Sequence, residues 1–331
     1  MQWESFSIFF DNYESVYKAF RITHSCTHDY LLDKRRVRAE AFTHPAPITQ
    51  GEEGKPMTIC IGLVCASGKY ILLAADTRGS YGNVTSNEQM AKTFDLPANY
   101  CGLIAGAGDY CADVIAELYH RMSQLPGPEI AHEGVRRCIR DSYHTVFMER
   151  AEEAMLGGPK ITLDQYYHDQ NLLPAIRDEA ERAIRSLEIE GALIVAGFYN
   201  GQPVQFIAEP KYPETTALSI RSEITPGNAV IGSGASAATF WLNYRKQNIH
   251  LGLAHSLLHL TEAKQFAETE QTVGSMRQTI VLWPGGHKAL NWAPEYQSLV
   301  QCWWHKYGLP LSDGLEDESC NKAVRELFAL P

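Results

Sequence analysis

Two runs of apolar side chains, Thr58 to Cys65 (TICIGLVC) and Tyr70 to Ala75 (YILLAA), constrain this chain more than any other feature. A strand with one wet face alternates apolar and polar residues; these runs do not, so both faces need cover. Separated by Ala66-Ser67-Gly68-Lys69, they predict a β-hairpin buried on both sides. Such a hairpin belongs inside stacked layers of sheet and helix.

The rest of the pattern agrees. Tyr100 to Ala105 reads as a third strand, followed at Asp109 by helical spacing through Tyr110, Val114, Ile115, Leu118, Tyr119 and Met122. Residues 131–156 form a second helix stopped by Gly157-Gly158-Pro159, residues 160–173 a loop, and Pro174 to Leu187 a third helix. Ala192 to Phe198 and Val204 to Ala208 flank Asn200-Gly201, a strong hairpin cue. Ala229 to Ile231 leads through Gly232-Ser233-Gly234 into a helix; another follows at about 252–267, then a strand, Thr279 to Trp283. Strands in pairs, then helices in pairs, fit stacked layers better than strict β-α-β alternation. Residues 1–56 show no sustained period, and past Pro284 only Trp303-Trp304 is strongly apolar.

Composition excludes several classes. With 331 residues, 45% of them apolar and 21% charged, the chain carries ample core-forming material and is not a disordered scaffold. A formal charge of −10 argues against nonspecific nucleic-acid binding, which needs clustered Lys and Arg. No apolar run approaches the ~20 residues of a membrane span, and the first residues lack a basic, then apolar, secretory pattern, so a cytoplasmic location is expected. Eight cysteines without a CxxC pair read as reduced, mostly buried thiols. His24-Ser25-Cys26-Thr27-His28 has no second cluster to complete a ligand set, and neither metal nor cofactor is expected.

Gly106-Ala107-Gly108 and Gly232-Ser233-Gly234 each follow a strand and open a helix. The second continues Ala235-Ser236-Ala237, a GxGxxA match to a dinucleotide loop. That loop also wants an acidic residue closing the next strand; here helix follows, and the first acidic residue is Glu262. A tight strand-to-helix turn explains the glycines more simply.

A strand opening at Thr58, a glycine turn at Gly68, a second strand closing in Ala75-Asp76-Thr77-Arg78-Gly79, and Lys92 sixteen positions after Asp76 form a more specific set. It resembles the proteasome β-subunit family of N-terminal-nucleophile hydrolases, in its bacterial proteasome-like branch. The resemblance covers roughly residues 58–125 and 190–283 and implies a four-layer αββα sandwich with mainly antiparallel sheets. It implies Thr58 as nucleophile and, through its freed α-amine, base, with Asp76 and Lys92 orienting and tuning it. Gly106, or a residue nearer Gly108, would receive the oxyanion, and Ser233 would support the amine. Thr272 can replace a family Ser, whereas Thr269 stands where the family carries Asp. The implied function is a threonine-type peptide hydrolase, assembled as a homo-oligomeric ring or spiral. A small-amide amidase and a catalytically silent structural subunit are the alternatives on the same fold.

The residue types suit that chemistry. A Thr hydroxyl needs a base within reach, and an α-amine, which ordinarily titrates at about 7.7–8.0, is substantially neutral near pH 7. A Lys ammonium nearby favours the neutral amine, and a carboxylate holds that ammonium. The requirement is a free Thr58. Residues 1–57 are accordingly expected to be a poorly ordered extension, residues 58–283 the hydrolase domain, and residues 284–331 a C-terminal extension. One route to a free Thr58 is self-cleavage of a propeptide, though Met57 stands where relatives carry Gly. The other is translation from Met57 followed by its removal, because Glu52-Glu53-Gly54 implies a purine-rich stretch just upstream.

Overall fold

The computed structural model describes residues 58–77, 79–81, 84–87, 91–125, 132–210, 218–223, 227–268, 273, 277–290 and 318–331. All lie within one compact unit, Glu53–Pro331. The expectations placed on residues 1–57, on Thr269 and Thr272, and on Trp303-Trp304 fall outside the described residues.

The protein is mixed α/β with two five-stranded antiparallel sheets. The apolar runs form β1 (Cys60–Cys65) and β2 (Tyr70–Asp76), paired from Cys60 opposite Ala75 to Cys65 opposite Tyr70. Their turn places Ala66, Ser67 and Gly68 all at positive φ. Short strands β3 (Gly79–Tyr81) and β4 (Val84–Asn87) pair with each other. After them come β5 (Thr93–Leu96), β6 (Tyr100–Gly106), α1 (Gly108–Ser123) and α2 (His132–Gly157). The segment expected as a loop contains a short helix, α3 (Leu163–His168). A capping box explains it: Thr162 Oγ1 accepts from Gln165 N–H while the Gln165 side chain accepts from Thr162 N–H. Six residues are too few for periodicity to register.

Next are α4 (Pro174–Arg185), β7 (Gly191–Tyr199), β8 (Gln202–Pro210), β9 (Leu218–Ser222) and β10 (Asn228–Ile231). Asn200 and Gly201 both adopt positive φ, as a two-residue turn between β7 and β8 demands. Helices α5 (Ala235–Tyr244) and α6 (Leu253–Ala267), strands β11 (Arg277–Trp283) and β12 (Gly286–Ala289), and helix α7 (Glu318–Phe328) complete the described chain. The first sheet runs β10-β1-β2-β11-β12 and the second β5-β6-β7-β8-β9.

Three apolar clusters show how the double-sided hairpin is covered. Ile61, Leu63 and Leu72 pack with Leu242 of α5 and with Leu257 and Leu260 of α6. From the opposite face, Val64, Ile71 and Leu73 pack with Leu103, Ile194 and Ile207 of the second sheet. That sheet turns Tyr100, Leu193 and Val195 towards Val114 and Leu118 of α1 and Ile139 of α2. Period-two alternation thus sends successive residues of β1 and β2 to two different apolar neighbours, which is why no polar residue interrupts Ile59 to Cys65 or Ile71 to Ala75.

A boundary at residue 283 is not a structural one. β12 is the fifth strand of the first sheet, and Cys320, Val324 and Leu330 belong to the same cluster as β1 and β2. Asn321 Oδ1 accepts from Ala254 N–H, 3.0 Å, tying α7 to the first turn of α6. Sequence alone does not reveal this role, because a long stretch of mixed composition separates α7 from the strands it serves.

On α6, His259 is 1% exposed, and its Nδ1 lies 2.8 Å from Gln247 Oε1. Burial, with smaller contributions from His255 and Arg245, pushes its pKa down to about 3. The folded ring stays neutral where the unfolded one binds a proton, so stability is present above about pH 6.5 and is lost as pH falls towards 3. Thermal midpoints measured across that window should drop steeply for the wild type and less for His259→Asn. Equal slopes would exclude His259 as the group responsible.

The candidate active site

Thr58 precedes β1, and the loop between β10 and α5 holds its backbone. Thr58 N–H donates to Ser233 Oγ at 3.1 Å. Thr58 O accepts from Ser233 Oγ and from Gly234 N–H, both at 3.4 Å. This close approach explains Gly232: its φ is +100°, and a Cβ there would lie 2.0 Å from Thr58 O. Gly232→Ala should destabilise the protein by about 3 kcal/mol or more and displace Thr58. Denaturant melts would read the first effect. A full-stability variant would show that the loop can move aside.

Asp76 closes β2 directly beside that start. Its N–H donates to Ile59 O at 3.1 Å, and its Oδ1 accepts from Ile59 N–H at 3.1 Å. Lys92 arrives from the other sheet, just ahead of β5. Its N–H donates to Gln278 Oε1, 3.0 Å, and its carbonyl accepts from Ile104 N–H, 3.1 Å. From there the ammonium donates to Asp76 Oδ1 at 2.8 Å and to Thr58 Oγ1. Thr58, Asp76 and Lys92 are 3%, 0% and 4% exposed, so the hydroxyl, ammonium and carboxylate meet almost without water. Thr58 and Lys92 stand 34 positions apart in the chain, and the two sheets supply one side each.

Gly106 ends β6 opposite Gly191 with φ +135°, and a Cβ there would lie 2.2 Å from Glu190 O. Gly108 opens α1. Ala107 N–H is committed to Glu190 O, 2.8 Å, on the β7 side. Amide directions alternate along a strand, so Gly106 N–H points to the β5 side, as does Ile104 N–H, which meets Lys92 O. Cys60 Sγ lies 3.1 Å from Ile104 O, so the start of β1 and the end of β6 share one end of the molecule. Among the described residues, no hydrogen bond joins Gly106 or Gly108 directly to Thr58, Asp76 or Lys92. Burial raises the Cys60 thiol pKa, offset in part by the Lys92 charge, so Cys60 is an inert neighbour.

Gln278 is a residue that sequence reading passed over. Its Oε1 accepts from both Lys92 N–H and Thr93 Oγ1, the latter at 3.3 Å, bridging β11 to the start of β5. A polar residue entering the apolar run TIVLW was the available signal. Gln278→Ala should leave Lys92 N–H without this acceptor and destabilise the fold by about 1–3 kcal/mol in denaturant melts.

The dinucleotide reading fails on its own residues. Ser233 is engaged with Thr58. Glu262 lies inside α6, where it binds Arg245 at 2.6–2.7 Å and Trp241 Nε1 at 3.0 Å. It is therefore neither at a strand end nor available to a ribose.

Six described cysteines are buried, with Cys60 and Cys65 fully enclosed. No helix among the described residues is long and apolar enough to cross a membrane. Comparison with known family models and with curated protein sequences gives no match.

Proposed function

We propose that the chain is a threonine-type amide or peptide hydrolase of the N-terminal-nucleophile, proteasome-like kind. One observation carries this reading: a buried ammonium donates at once to the Thr58 hydroxyl oxygen and to the Asp76 carboxylate. Two antiparallel sheets sharing one apolar cluster, each with helices in a second cluster, support the four-layer αββα arrangement.

In this reading Thr58 acts after the peptide bond to residue 57 is cut. The freed α-amine, beside Ser233 Oγ, takes the proton from Oγ1 as the oxygen attacks the substrate carbonyl. Lys92 steadies the negative charge building on Oγ1, and Asp76 fixes Lys92. Gly106 N–H, or an N–H nearer Gly108, would receive the developing oxyanion, a contribution commonly worth ~3 kcal/mol. The tetrahedral adduct collapses with return of the proton to the leaving amine, and water then hydrolyses the ester on Thr58.

The first test is N-terminal sequencing of active protein from its native host, combined with turnover of a fluorogenic peptide panel. A Thr58 start with turnover supports the reading; active protein starting at Met1 or blocked rejects it.

A smaller amide substrate is the second reading, favoured by the helices between α1 and β7. Arg150 of α2 pairs with Asp109 and Asp113 in the first turns of α1, at 3.4 and 2.9 Å. The last turns of α2, with α3 and α4, add a small core of Met155, Ile161 and Ala180 at that end. A wall there would narrow access beside Gly106. Light scattering separates the readings, since a cytoplasmic peptidase confined in a homo-oligomeric ring or spiral predicts a large assembly and the amidase does not.

A further inference from the structure

Asp95, Cys101 and His287 meet at the matching edges of the two sheets, away from Thr58 in the strand register. Asp95 is on β5 and lies opposite Cys101 on β6, so the two share a face. His287 is on β12, opposite Leu282, and Leu282 faces the second sheet. One ligand-capable atom from each lies within 4.8 Å of the other two. His287 Nε2 is 3.2 Å from Asp95 Oδ1, and Cys101 Sγ is 3.7 Å from the same residue's Oδ1.

These separations fit the edges of one tetrahedron. With Zn–N and Zn–O near ~2.0 Å and Zn–S near ~2.3 Å, tetrahedral angles give an N–O edge of about 3.3 Å and an S–O edge of about 3.5 Å. The donor set, one thiolate, one imidazole and one carboxylate, is of the type Zn2+ takes and Mg2+ or Ca2+ does not. We propose that Asp95, Cys101 and His287 bind one zinc-class divalent ion that staples the outer strands β5 and β12 together. Binding displaces the Cys101 thiol proton to solvent, and a three-ligand ion takes water as its fourth partner. Asp95, 71% exposed, gives the ion its way in. Lys92 lies three residues before Asp95 on the same edge, so the ion would stiffen the strand that presents it. The inference does not depend on the hydrolase reading.

The test uses the untagged full chain, stripped with chelator and titrated with Zn2+ against a chromophoric competitor, then with Co2+. One equivalent of Zn2+ per chain is expected, with a thiolate-to-cobalt charge-transfer band in the Co2+ form. Asp95→Ala and His287→Gln, both at solvent-reachable positions, should lose more affinity than the about 10–100-fold typical of removing a supporting partner. Cys101→Ala should abolish the band. Absence of stoichiometric binding, or binding and band unchanged in the variants, would reduce the cluster to an ion pair beside a thiol and overturn the proposal.

Discussion

Thr58→Ala should lower peptide or amide turnover by about a thousandfold or more in correctly processed protein, while the thermal midpoint moves little. The asymmetry follows from what the substitution removes. Oγ1 is one of two acceptors of the Lys92 ammonium, and the other, Asp76 Oδ1 at 2.8 Å, stays in place. The buried charge pair therefore survives, and only the proposed nucleophile is lost. Thr58→Ser keeps an oxygen and should retain measurable turnover, reduced by the extra rotameric freedom of Ser. Production of both variants needs the start at residue 58 to be supplied independently, for example by a removable fusion, because a self-cleaving chain would otherwise fail for want of its own nucleophile. Equal turnover by Thr58→Ala and wild type would exclude catalysis by this residue and leave the structural-subunit reading.

The reverse signature is expected for Lys92→Met. Asp76 is fully buried, and removing its partner leaves a carboxylate with too little compensation, a cost of about 3–5 kcal/mol. For a unit of this size that lowers the thermal midpoint by roughly 6 °C or more. Turnover should vanish as well, but loss of activity alone would not separate positioning from folding. The double variant Lys92→Met, Asp76→Asn does. Neutralising the carboxylate should recover part of the stability, whereas turnover should stay absent because no ammonium faces Oγ1. A double variant as unstable as the single one would mean that Asp76 is not held as a charge, and the proposed electrostatics would go with it.

Thr58, Asp76 and Lys92 stood out as a set through a family resemblance, and the hairpin beside which the first two lie was legible because its register is forced. A one-residue slip would turn Ile61 and Leu63 out of one apolar cluster and into the other. Asn200-Gly201 was legible because few residues tolerate two successive positive φ values. Helix α3 was not, since six residues with a capping box carry no period. Gln278, α7 and the Asp95–Cys101–His287 group were not, because each acts on a strand or helix far away in the chain.

Local chemistry thus determined by itself the double-faced hairpin and the glycine turns. These depend on apolar periodicity and on backbone angles, which neighbouring residues settle among themselves. Only the tertiary structure decided that the ammonium at 92 crosses from one sheet to the hydroxyl and carboxylate of the other, and that three donors from β5, β6 and β12 converge. Such meetings depend on how two sheets are laid face to face, a matter of long-range packing that no window of sequence contains.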